Sequence, residues 1–132
     1  MEFELTWVDP TLVVCRTSGV ASVQGYEEAI RALASSPEFG PGVKVLMDHT
    51  ALDVSSLTAT DMEDIASLRA RIAGEGKARS AVVVGRDSPL RYGLSRMFEG
   101  YVSPQVELEV RIFEELAEAL IWLQADDAEP AP

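Results

Sequence analysis

One cysteine and one histidine in 132 residues leave this chain short of the side chains that most hydrolytic, redox and metal chemistry uses. A single cysteine permits no internal disulfide and excludes a multi-cysteine metal site. Cys15 sits in the apolar stretch Leu12-Val-Val-Cys-Arg16, where it reads as a small buried hydrophobe rather than a nucleophile. His49 is the sole candidate for an imidazole base, and the nearby serines Ser55 and Ser56 lack the Gly-x-Ser-x-Gly setting of a nucleophile elbow. It also lacks nitrogen or sulfur co-ligands for zinc, and no glycine-rich phosphate loop opens a helix. The expectation is a protein that is not an enzyme and uses no metal or cofactor.

Basic residues are scarce as well: 11 Lys and Arg stand against 22 Asp and Glu, for a net charge of −11. Such a surface repels phosphate backbones and anionic lipid headgroups, so a nucleic-acid partner is not expected. No apolar run approaches the ~20 residues that span a bilayer, which argues against an integral membrane segment. The N-terminus shows no basic segment leading into an apolar one, and a cytoplasmic location is the corresponding expectation.

What the chain does have is an ordinary globular composition, 47% hydrophobic and 25% charged. Residues 1–125 read as a single domain, and residues 126–132 as an acidic tail with no reason to pack. Strands are expected at 3–7 and 12–17, joined as an antiparallel hairpin through Asp9-Pro10. Further strands are expected at 43–47, 79–85 and 107–113, the last alternating as a one-sided edge strand. Helices are marked by the caps Ser22, Thr58 and Ser88, and by an acidic start near Glu114. Asp61 completes a capping box with Thr58, and Pro89 follows Ser88 at the first helical position. On the second helix Met62, Ile65, Ala66, Arg69 and Ile72 share one stripe, with Arg69 laying its stem along it. The third is expected to face the core through Leu90, Leu94, Met97, Phe98 and Tyr101. Gly93 within it suggests a closely approaching backbone, and Gly74 with Gly76 should end the second helix. The order β-β-α-β-α-β-α-β-α predicts an α/β fold: a mixed five-stranded sheet, antiparallel in its N-terminal hairpin and mainly parallel elsewhere, with four helices.

The chain is organised around residues 43–61, read as a buried strand ending at Asp48, a loop, and the start of the second helix. In open α/β sheets, ligands and partners are met where strand carboxyl ends give way to loops. Asp48, His49, Asp53, Ser55, Ser56 and Thr58 fall there and are the candidates for partner binding or phosphorylation. Asp48 alone does not make a phospho-acceptor site of the receiver type, since the first strand runs into a hairpin and Phe113-Glu-Glu follows the fifth. The serines also have a plainer reading as a polar turn feeding a helix cap.

The segments Leu12-Val-Val-Cys-Arg-Thr-Ser-Gly19, Pro37-Glu-Phe-Gly-Pro-Gly-Val-Lys-Val-Leu-Met-Asp48, Tyr92-Gly-Leu-Ser-Arg-Met-Phe-Glu99 and Phe113-Glu-Glu-Leu-Ala-Glu-Ala-Leu-Ile-Trp-Leu123 together resemble the SpoIIAA-like branch of the STAS superfamily, also described as STAS/Sec14-like. The resemblance implies a non-enzymatic regulatory module whose partner, a kinase or an anti-sigma-like regulator, is sensed through the loop after the central strand and the following helix. Anti-sigma-factor antagonists of this type carry an Asp-Ser-Ser-Gly-like motif whose serine is phosphorylated. Here Asp53-Val-Ser-Ser-Leu57 stands near that place, with Val54 inserted and no glycine. The alternative is a carrier or sensor of a small apolar ligand or lipid, with a pocket near Leu57, Met62, Tyr92 and Met97. A homodimer, if formed, is expected to use a helix face or residues 92–101 rather than the charged edge strand.

Overall fold

A computed structural model describes residues 1–73 and 77–125. The expected tail at 126–132, and the glycines Gly74 and Gly76, lie outside the described residues. The elements are β1 (Glu2–Asp9), β2 (Leu12–Val20), α1 (Val23–Ser35), β3 (Lys44–Asp53), α2 (Ala59–Arg71), β4 (Ala78–Val83), α3 (Pro89–Val102), β5 (Leu108–Phe113) and α4 (Leu116–Gln124). The strands form one sheet in the order β1-β2-β3-β4-β5. β1 pairs antiparallel with β2, and every other neighbouring pair is parallel.

The alternation of side chains along the strands assigns the helices to two faces. Leu46 of β3 joins Leu12, Val14, Ala81 and Val83 on one face, which α4 covers with Ala119 and Leu123. Val45 points the other way and packs with Val13 and Leu33 of α1. On that same face α2 and α3 contribute Met62, Ile65 and Leu94 to the core, and Phe39 anchors the loop after α1. Three successive crossovers on one side of the sheet, as right-handed connections require, leave the other side to the last helix alone.

The helix starts follow from local chemistry. Ser22 Oγ accepts from the Gly25 amide at 2.9 Å, and Ser88 caps α3 with Pro89 in the first turn. At α2 the Thr58 hydroxyl accepts from the Asp61 amide while the Asp61 carboxylate accepts from the Thr58 amide, a complete capping box. Asp9 accepts from both the amide and the hydroxyl of Thr11, which closes the β1–β2 turn.

Four expectations need correction. β3 does not stop at Asp48 but runs to Asp53, because β2 also extends and pairs Ser18 with Ala51, Gly19 with Leu52 and Val20 with Asp53. The ladder and the burial of Leu52 override the weak strand preference of Asp and His. Gly93 meets no backbone: a Cβ built there has nothing within 4 Å outside its own helix turns. Leu90, placed on the core face by spacing, is 49% exposed because it sits in the first turn of α3, whose buried residues begin only at Leu94. Arg69 does not lay only its stem on the apolar stripe; the whole residue is buried at 5% exposure.

Candidate functional site

The extension of β3 divides the candidate residues into an interior set and a surface set. Asp48 and His49 lie inside the strand and are each 6% exposed. Asp53, Ser55, Ser56 and Thr58 remain at the surface, at the carboxyl end of β3 and the start of α2.

His49 stands at the centre of a buried chain of hydrogen bonds. Its Nδ1 lies 2.6 Å from Thr17 Oγ1 and its Nε2 lies 2.8 Å from the Tyr26 hydroxyl. Thr17 Oγ1 also lies 3.1 Å from the carbonyl of Asp48. When the hydroxyl donates to that carbonyl, Thr17 accepts from Nδ1–H and Nε2 accepts from Tyr26; when it donates to Nδ1, Nε2–H donates to Tyr26 instead. Every member of the chain is satisfied with a neutral imidazole. Burial pushes the His49 pKa down to about 4; the Asp48 carboxylate opposes this and the Arg91 guanidinium reinforces it. Burial also pushes the Tyr26 phenol up. An imidazole so tied and so hard to protonate is a structural joint between β2, β3 and α1, not a ready general base.

Asp48 turns to the other side of the strand. Its carboxylate accepts from the amide and hydroxyl of Thr50, at 3.1 and 2.8 Å, and lies 3.5 Å from Arg16 Nε. Those bonds make it a cap for its own strand neighbours, with the charge offset by a half-exposed arginine.

The surface set is a short turn built on Asp53. Its carboxylate accepts from the Ser55 amide at 2.9 Å and the Ser55 hydroxyl at 2.7 Å. Those two bonds, hydroxyl first, hold the Asp53 carboxyl below its ordinary value. Ser56 donates to the carbonyl of Ala21, tying the turn to the segment between β2 and α1. Arg91, which residue spacing did not single out, braces this end of the sheet from α3. It donates to the carbonyls of Leu52 and Val84 and to Asp87. Its signal in the sequence is slight: an arginine one turn into a helix that follows a buried strand.

The proposed pocket residues fall at different places in the fold. Met62 lines an interior cavity between the sheet and α1, α2 and α3. Leu57 and Met97 pack against the core cluster beside it, and Tyr92 is exposed over a shallow groove with Arg96 and Arg111. The cavity's water-accessible volume is about 40 Å³, and its wall includes His49 and Arg69 as well as apolar side chains. Among the described residues no three His, Cys, Asp or Glu side chains gather to hold a metal ion. No described helix is long and apolar enough to cross a membrane.

A structure of a DUF3478-family protein from Shewanella loihica PV-4, itself described as SpoIIAA-like in fold, superposes with a TM-score of 0.60 over 92% of both chains at 20% identity. The fold is SpoIIAA-like. The unphosphorylated anti-sigma factor antagonist SpoIIAA agrees, with a TM-score of 0.52 at 17% identity, covering 93% of this chain and 96% of its own. No family model and no curated protein matches the sequence. The SpoIIAA-like sheet therefore carries the Asp53 turn at a strand end on the surface, and the His49 chain within.

Proposed function

We propose that this chain is a non-enzymatic regulatory module that binds a protein partner through the turn at residues 53–58 and the first turns of α2. The observation that carries the reading is the construction of that turn. Asp53 holds Ser55, Ser56 is tied to Ala21, and the Thr58–Asp61 box fixes the helix start, so an exposed surface is presented in one conformation. A preorganised surface costs less ordering on binding than a free loop. The fold shared with an anti-sigma factor antagonist supports the same reading, and a kinase or an anti-sigma-like regulator is the kind of partner it suggests. A cytoplasmic setting belongs to this proposal.

The switch would act through Ser55. Phosphorylation removes the hydroxyl proton that Asp53 accepts and adds about −1.5 to −2 charges beside that carboxylate. The turn then opens and the docking surface is lost. A carrier of an apolar ligand or lipid is the weaker reading, since the 40 Å³ cavity is far below the ~300 Å³ such ligands occupy.

The test is affinity capture from the native host with wild type, Ser55→Asp, Ser56→Asp and the double variant, each checked for folding by thermal melting. The proposal expects a partner held by wild type and released by Ser55→Asp, with phosphoserine found at 55 in protein from the host. Identical partners for all four, with neither serine phosphorylated, would overturn it.

A further inference from the structure

We propose that the interior cavity is a receptor for one small monovalent anion, of halide or formate-to-acetate size, held by the guanidinium of Arg69. The site is separate from the turn at residues 53–58 and does not depend on its role.

Arg69 is 5% exposed, and its Nε and Nη1 atoms are inaccessible to solvent and without a hydrogen-bond partner among the described residues. An arginine has no neutral form to retreat to at ordinary pH. Burial lowers its pKa only to about 10, and among the described residues no carboxylate pairs with the charge. A fixed positive charge in the interior, with two nitrogens unpartnered, is a costly arrangement unless something pairs with it. Arg69 lies on the wall of the cavity, so the space for a pairing group is already present.

The dimensions and the walls select the occupant. About 40 Å³ admits a few waters or one small ion, not an alkyl chain or a nucleotide. Waters satisfy donors but leave the charge uncompensated. Leu33, Met47 and Phe98 make much of the wall apolar, while Ser80 and Ser95, both buried, bring two hydroxyls to it. One cation and a few donors suit a single negative charge. Phosphate and sulfate carry more charge and ask for more donors than this wall offers. The methionines can shift to admit the ion.

The experiment starts from protein exchanged into sodium gluconate, whose anion is too large for the cavity. Chloride, bromide, formate and acetate are then titrated as sodium salts at constant ionic strength while thermal melting is followed. The proposal expects a saturable rise of the melting temperature with at least one of these salts, and its absence in Arg69→Met. Comparing the halide and carboxylate arms identifies which kind of anion the site takes. A wild type indifferent to all four, or an Arg69→Met variant with the same saturable response, would overturn it. Should Arg69→Met fail to fold, crystals of the wild type grown in sodium bromide decide the matter by anomalous scattering. Bromide within hydrogen-bonding distance of Arg69 supports the receptor, and water alone at that place refutes it.

Discussion

Acidification should destabilise this protein through one residue, His49. The unfolded chain binds a proton at His49 with an ordinary pKa of 6.5, whereas the folded chain holds that pKa down at about 4. Between these values the unfolded state carries more protons, so stability rises with pH and falls as the solution is made acidic. The contribution is fully present above pH 6.5, is lost progressively below it, and levels off beneath pH 4. Linkage gives a loss of about 2 kcal/mol between pH 7 and pH 5, and about 3 kcal/mol by pH 4. Asp9 and Asp53, both held below the ordinary carboxylate value of 3.8, act at lower pH and are the same in any His49 variant. Because His49 is the only histidine, a single substitution removes the effect. Urea unfolding of wild type and His49→Gln at pH 7 and pH 5 is the assay. Glutamine can bond both Thr17 and Tyr26, so the variant should fold with a lower baseline. Its stability should change between the two pH values by about 2 kcal/mol less than wild type. Equal losses in the two proteins would show that the imidazole titrates normally, and the buried neutral chain from Tyr26 to Asp48 would have to be abandoned.

Three further outcomes are expected. Thr58→Ala removes the hydroxyl half of the α2 capping box and should cost about 1 kcal/mol in urea unfolding, with Thr58→Ser recovering most of it. Gly93→Ala should stabilise by up to about 1 kcal/mol, since the added methyl meets open space and the helix gains propensity; a loss would mean that something approaches α3 there. Burial pushes the Cys15 thiol up to about 12, so alkylation at pH 8 should proceed at the rate of opening rather than of a free thiol, and should become fast in denaturant.

Much of the architecture is determined locally. Ser22, Thr58 with Asp61, and Ser88 with Pro89 satisfy the first amides of three helices from within a few residues, so the helix starts can be read directly. The alternation of Leu108 and Val110 with Glu109 and Arg111 likewise declares which side of β5 is covered. What the sequence could not decide was anything set by a partner distant in the chain. β3 continues past Asp48 only because β2, some thirty residues earlier, offers a matching ladder as far as Val20. That pairing takes His49 from an expected loop into the interior, and residues 32 and 23 positions away supply its hydrogen bonds. The same holds for Arg69. Its place on an apolar stripe was visible, but a long side chain on such a stripe can reach water or turn inward. The packing of α1, α2 and α3 over one face of the sheet buries it, and so turns a residue that ordinarily marks a surface into the one unpaired buried cation among the described residues.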